Sequence, residues 1–307
     1  SKKSSQAIRA LSTSSKSSVA VELSGGEGKD KLISGTGAAK LIGGAGKDVL
    51  DARLALAGST LIGDAGDDKI YGSSYADVLR GGSGDDKILA GAGDDVLEGG
   101  EGADTLKGEA GVDVYEFHDG FGLDRFRDVE GESSFDFSAV TKELSGTYGP
   151  RGLKLAIDET SEFKSGRADI AKIVLGKGDD ELSVSGFAER TVELGDAGGD
   201  DLYRITLGQA SSSKEKGVIN LSDEGGDFDE VVLEQRYGNN PVSLNHQQLA
   251  NGREVLNLVG TGMERLTLAG KGSLFGDSGI VNFGKKVSFA TDAENGVSDL
   301  GFDVGFR

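Results

Sequence analysis

The 307-residue chain carries 33 Lys and Arg against 52 Asp and Glu, a formal net charge of −19. That balance argues against nucleic acid and anionic lipid as partners, which need a basic patch, and it opposes compaction unless positive charge is recruited. Cysteine is absent, which removes disulfides and thiolate–metal chemistry, and 51 Gly against 2 Pro point to ordered, repeated turns.

Residues 1–24 read as a Ser-rich flexible leader whose only charges before Glu22 are Lys2, Lys3, Arg9 and Lys16. The leader lacks the apolar core of a secretory signal, and the start at Ser1 leaves room for one already removed. No run of about 18 apolar residues occurs, so no membrane-spanning helix is expected.

From Gly25 the chain repeats itself every nine residues, with units starting at Gly25, Ser34, Gly43, Leu54, Gly63, Gly72, Gly81, Ala90, Gly99 and Gly108. Position eight is apolar throughout: Leu32, Leu41, Leu50, Leu61, Ile70, Leu79, Ile88, Leu97, Leu106 and Tyr115. Position six is Asp30, Ala39, Asp48, Ser59, Asp68, Asp77, Asp86, Asp95, Asp104 and Asp113, so eight of ten are aspartate. An eleventh unit, DGFGLDRFR from Asp119, keeps Asp124 and Phe126, and an insertion of Ala52 and Arg53 precedes the weak fourth unit. Each unit predicts a six-residue glycine turn such as Gly81–Asp86, then a three-residue strand such as Lys87–Leu89 with its central side chain inward. A helix is rejected, because a nine-residue period holds no single helical face and each glycine would cost about 1 kcal/mol.

GGEGKDKLI, GGAGKDVLD, GGSGDDKIL and GGEGADTLK match GGxGxDxUx at every defined position. The array therefore resembles the RTX, or haemolysin-type calcium-binding, nonapeptide family. The resemblance implies an all-β fold: a right-handed parallel β-roll over residues 25–130, two nonapeptides per coil, with calcium between stacked turns. One edge of such a roll carries Asp30, Asp48, Asp68, Asp86, Asp104 and Asp124, and the other Ala39, Ser59, Asp77, Asp95 and Asp113. Coils lie about 4.8 Å apart, so stacked carboxylates repel unless a divalent cation separates them.

By the same resemblance the shell draws carbonyls from positions two and four of one turn and one and three of the next. On the first edge Gly26 and Gly28 accompany Asp30, and Gly43, Gly44, Ala45 and Gly46 accompany Asp48. Asp68 has Gly63, Asp64, Ala65 and Gly66, and Asp86 has Gly81, Gly82, Ser83 and Gly84. Asp104 has Gly99, Gly100, Glu101 and Gly102, and Asp124 has Asp119. On the second edge Asp77 faces Asp95, with Ala90, Gly91, Ala92 and Gly93, and Asp95 faces Asp113, with Gly108 and Ala110. Ala39 and Ser59 leave that edge metal-poor at its start. About seven Ca²⁺ ions would bring about +14 against −19, so the roll should be largely unfolded without them. Turn preference alone does not explain why position six is Asp while position five varies.

Residues 131–174 read as a connector in which SSFDFSAV forms a strand and the stretch with Pro150 is irregular. The motif returns in LGKGDDELS and GDAGGDDLY, where Gly176, Gly178, Asp180, Gly195, Ala197 and Asp200 form a candidate eighth site. GGDFDEVVL is one residue short, leaving Asp227 and Asp229 as weak candidates. REVLNLVG and MERLTLAG alternate like half-buried strands and resemble coils of surface-layer and adhesin-type RTX proteins, so residues 175–307 read as a second, degenerate β-solenoid with a C-terminal tail.

Catalytic signatures are missing. His118 and His246 lack HExxH spacing, GSSYA has Ala76 where a nucleophile elbow needs glycine, and GAGKD lacks the Ser/Thr of a phosphate loop. Adjacent acids such as Asp85–Asp86 recur too often to be a unique catalytic couple. The expectation is a non-enzymatic, calcium-binding protein exported by a type I system, folding outside the cell and assembling as a homo-oligomer or surface polymer: an S-layer, filament or adhesin subunit. The alternative is the C-terminal export and folding module of a larger type I secreted hydrolase or toxin. A polyuronate epimerase would need a basic or aromatic groove, and aromatics are only 6% with no Trp.

Overall fold

Alternation of one inward apolar residue with outward polar ones, punctuated by glycine, leaves the chain nothing to form but short strands wound around a narrow core. The computed structural model describes residues 7–9, 21–126, 131–149, 151–165, 170–185, 191–199 and 201–207, and beyond these the strands 218–223, 230–235, 242–248, 254–260, 265–270 and 282–283. Among the described residues there is no helix, and none is long and apolar enough to cross a membrane. The chain divides into two compact units, residues 1–136 with 158–170 and residues 137–157 with 171–307.

In the first unit successive strands alternate between two rows. One row holds β1 (Ala7–Arg9), β3 (Lys31–Ile33), β5 (Val49–Asp51), β7 (Lys69–Tyr71), β9 (Lys87–Ala92), β11 (Thr105–Ala110) and β13 (Leu123–Phe126). The other holds β2 (Val21–Gly28), β4 (Ala39–Gly46), β6 (Thr60–Ala65), β8 (Val78–Ser83), β10 (Val96–Glu101), β12 (Val112–Glu116) and β14 (Glu132–Asp136). Every pairing in these rows is parallel, with Ile70 beside Ile88 and Leu79 beside Leu97. The expected parallel β-roll is therefore the fold. All ten position-eight side chains, Leu32 through Tyr115, are completely buried between the rows.

The core changes character at the last coils. Aliphatic side chains give way to rings: Tyr115 and Phe126, and Phe117 and Phe163, each meet edge to face at 4.8 Å, and Phe135 lies tilted against Phe163 at 4.9 Å. Phe163 lies beyond the repeats, on β17 (Glu162–Lys164), which pairs in parallel with β13. SSFDFSAV supplies β14, and Phe135 and Phe137 from it are fully buried.

Three expectations need correction. The turns are shorter than six residues, because β8 runs on to Ser83 and β9 to Ala92. Identical turns stacked in register pair with one another: the Gly66 and Gly84 N–H groups donate to the Ser83 and Glu101 carbonyls. The leader is not wholly irregular, since β1 pairs with β3 and β2 begins at Val21, where Val21 and Leu23 turn inward and Glu22 outward. The connector 131–174 is not one element: β14 and β17 build the first unit, whereas the antiparallel hairpin of β15 (Ser145–Gly149) and β16 (Gly152–Ala156) builds the second.

In the second unit one row runs β16, β15, β19 (Glu181–Ser185), β21 (Leu202–Leu207), β23 (Glu230–Gln235) and β27 (Asn282–Phe283). The other runs β18 (Ile170–Val174), β20 (Thr191–Gly195), β22 (Val218–Asp223), β26 (Arg265–Gly270), β25 (Glu254–Gly260) and β24 (Val242–Gln248). Apart from the antiparallel β15–β16 hairpin, pairings are parallel up to β22–β26, so this unit too is a solenoid. β24, β25 and β26 are antiparallel neighbours instead. Only residues 249–253 and 261–264 join them, too few for the crossover that parallel neighbours require.

Replacing one position-eight side chain tests the winding directly. Leu97→Ala should cost about 2–5 kcal/mol, whereas Val96→Ala on the outer face should cost under about 1 kcal/mol. Denaturant unfolding in saturating calcium would read both, and equal losses would contradict the register.

Candidate metal centre

Position six sits where the chain leaves a turn and enters a strand, so its side chain is tucked under the turn and against the neighbouring coil. Asp30, Asp48, Asp68, Asp77, Asp86, Asp95, Asp104, Asp113 and Asp124 are all at most 3% exposed. On the first edge each backbone N–H donates to the carboxylate of the next coil. The bond is 2.7 Å from Asp30 to Asp48 Oδ1, 2.6 Å from Asp48 to Asp68, 2.7 Å from Asp68 to Asp86 and from Asp86 to Asp104, and 3.0 Å from Asp104 to Asp124. The second edge repeats it from Ser59 to Asp77 (2.6 Å), Asp77 to Asp95 (2.7 Å) and Asp95 to Asp113 (3.0 Å). At Ala39 the Ser59 hydroxyl takes the carboxylate's place at 3.2 Å.

The ladder uses Oδ1 only. Oδ2 of Asp48, Asp68, Asp86, Asp95, Asp104 and Asp124 is buried with no hydrogen-bond partner. A buried anionic oxygen left in this state is expensive unless a cation or proton satisfies it. Burial accordingly pushes Asp68, Asp86 and Asp95 up from 3.8 to about 7, with repulsion from the carboxylates of adjacent coils adding to it and the N–H bond opposing it. Asp48 and Asp77 are raised for the same first reason. Asp104 and Asp124 are both raised by burial, Asp124 further because the Asp104 charge faces it.

Position one explains its own glycine. A Cβ on Gly43 would stand 2.7 Å from Asp48 Oδ2 and 2.8 Å from the Gly63 carbonyl oxygen, and Gly63, Gly81 and Gly99 are crowded by the same carboxylate oxygen. Oxygens of two consecutive coils thus converge beside position one. Positions two and four hold positive φ, 112° at Gly82 and 125° at Gly84, which only glycine adopts freely. Asp64 (73°) and Glu109 (74°) are the non-glycine exceptions among the described residues, both at position two.

This oxygen-only set fits a hard divalent cation such as Ca²⁺, which takes about six to eight oxygens. Among the described residues no three His, Cys, Asp or Glu side chains converge on one metal position. The position-six carboxylates would therefore share the ion with turn carbonyls. The expected carbonyl donors at Gly26, Gly28, Gly44, Ala45, Gly46, Ala65, Gly66, Ser83, Gly91, Ala92, Gly93, Gly100, Glu101, Gly102, Gly108 and Ala110 all lie in these stacked turns, as the pairings of Gly44 with Asp64 and of Gly100 with Gly82 illustrate. Asp119 instead stands exposed beside Gly120, while Gly122 occupies position four over Gly102.

The second edge begins with SGTGAA, LALAGS and GSSYAD, and exposes Leu54 (51%), Leu56 (62%) and Tyr75 (44%) where ligands fail.

In the second unit the pairing of sites shifts by one residue. Asp180 donates its N–H to Asp201 Oδ1 at 2.7 Å, and Asp200 lies outside the described residues. Tyr203 stacks beside Leu182 and is fully buried, so it is Tyr203, not Leu202, that holds position eight. A one-residue slip exchanges the two faces of a strand, and the extra glycine in GDAGGDD makes the interval 21. The two oxygens of Asp180 accept from Leu144 (2.6 Å) and Gly176 (2.7 Å), and burial raises it to about 6. Ala197 donates to Gly176, Gly195 accepts from Leu175, and Gly199 crowds the Gly178 carbonyl. Asp196, 2% exposed and 3.2 Å from the Tyr203 hydroxyl, had no sequence signal beyond its glycine neighbours. Asp227 and Asp229 lie outside the described residues.

Two outcomes follow from the carboxylate ladder. Raised folded values mean that, without calcium, the stability these groups contribute is present below about pH 4 and lost as pH rises through about 7. Calcium-free protein should therefore melt higher at pH 5 than at pH 8, with the order reversed in saturating calcium. Asp95→Asn should raise the calcium-free melting temperature at pH 8 by roughly 2–4 °C while weakening calcium binding; thermal melts followed by circular dichroism, without and with calcium, check both, and a lower calcium-free melt would sink the account.

The profile of the RTX calcium-binding nonapeptide repeat, in four copies, matches residues 24–54, 62–97 and 89–122. The unmatched 55–61 falls on the weak LALAGSTLI unit. No curated protein matches the chain. Residues 24–122, with their parallel coils and buried position-six aspartates, are an array of RTX calcium-binding repeats.

Proposed function

We propose that the protein is a secreted, non-enzymatic structural protein, exported by a type I system, that folds on binding about seven or eight Ca²⁺ ions and assembles on the cell surface or in the extracellular matrix. The observation that carries the reading is the run of buried position-six carboxylates whose second oxygen lacks a hydrogen-bond partner. Such a fold is unstable where calcium is scarce and stable where it is plentiful, which couples folding to arrival outside the cell.

Two features support assembly over a purely carrier role. Among the described residues strands recur in both units and give each extended faces. Among the described residues β1 and β2 stand last in their rows, and a row's last strand is where another chain can add. An export module of a larger hydrolase or toxin would share the calcium dependence without the association.

Light scattering during a calcium titration from chelator-treated protein separates the two. Growth into large particles at millimolar calcium is the expected result. Compaction without growth would favour the export module, and no change at all would remove the calcium reading.

A further inference from the structure

The first roll carries a column of cations on one outer face and an acidic cleft on the other. On the row of odd-numbered strands, position seven is Lys31, Val49, Lys69, Lys87, Thr105 and Arg125, aligned strand to strand. The column spans roughly 24 Å at about 4.8 Å per coil. Its four cations are exposed, and none makes a salt bridge among the described residues. Lys69 and Lys87 are direct neighbours, an arrangement that costs stability in an isolated sheet. Half-buried Ile33, Tyr71 and Leu89 flank them.

The opposite row faces away across the core and bears a cleft of about 470 Å³ lined by Asp64, Glu98, Glu101, Glu116 and Asp119, with no Lys or Arg in its wall. Arg80 and His118 both approach Glu98, at 2.8 and 3.2 Å, and leave Asp64, Glu101 and Glu116 of the wall in excess.

We infer that the cation column of one molecule docks on the acidic cleft of a second copy of this chain. This rests on the assembly reading and names its contact. The two surfaces differ and lie on opposite sides of the same roll, so the contact is heterologous and propagates instead of closing into a dimer. Calcium switches it on: with the turn carboxylates neutralised, general repulsion between highly anionic chains falls and the facial charges decide the approach.

The test uses the full chain in millimolar calcium, with particle size read by light scattering and folding read by circular dichroism. One variant carries Lys31→Glu, Lys69→Glu and Lys87→Glu; a second carries Glu98→Lys and Glu116→Lys. Each alone should associate at least about tenfold more weakly, and an equimolar mixture should regain wild-type association, because every contact in it can again join opposite charges. A neutral variant, Lys69→Gln with Lys87→Gln, relieves like-charge repulsion and so folds at least as well; it must lose association too. Wild-type protein that stays monomeric overturns this inference and the assembly reading together. Wild-type association that all three variants share overturns the inference alone. So does a column whose replacement abolishes binding to a polyuronate chain and leaves self-association unchanged, which would assign the face to an anionic polymer.

Discussion

Everything in the first unit hangs on a carboxylate held between two coils with one oxygen tied and the other bare. The tied oxygen receives a backbone N–H from the preceding coil, which sets the turn-to-turn register as firmly as a strand ladder does. The bare oxygen makes that register conditional, because its charge is stranded away from water. Here the same atom pair both specifies the fold and withholds its stability until a cation or a proton is present.

Glycine at position one belongs to this arrangement and is no mere flexible spacer. At Gly43, Gly63 and Gly81 it is the gap into which the carboxylate oxygen and the next coil's carbonyl fit. Positions two and four serve the turn's left-handed backbone, and Asp64 and Glu109 hold position two at positive φ, while position one is Ala90 in the unit of Asp95. The aromatic layer of Tyr115, Phe126, Phe135 and Phe163 closes the core where the aspartate repeat stops, replacing ion-dependent stacking with ring contacts that need no ligand.

The winding of this roll was legible because each unit repeats a local decision. Leu32 to Tyr115 announce the inward side, the glycines announce the turns, and nine residues admit no helix. The dual use of Asp86 was not legible: hydrogen bonding between coils depends on which backbone groups the stacked turns leave free, and the repeat states only that position six recurs. The slip from Asp200 to Asp201 has a similar origin. Two candidate residues, Leu202 and Tyr203, both qualify as inward apolar positions, and only the neighbouring strand decides between them. Phe163 was hidden by distance, since its partner Phe117 lies on the far side of a long excursion. The cation column was hidden by averaging, because lysines separated by about eighteen residues vanish in a chain that is acidic as a whole.

Alternation of rows also restricts how such a chain can change length. Loss or gain of eighteen residues removes or adds a whole coil and leaves every later residue on its own side. A nine-residue change transfers all that follows to the opposite side: Asp86 and Asp104 would move beneath the Ala39 and Ser59 edge, and Lys87 would exchange faces with Val96. Inheritance of this architecture is thus counted in pairs of repeats, and a single duplicated or deleted unit is a frameshift in space without being one in the reading frame.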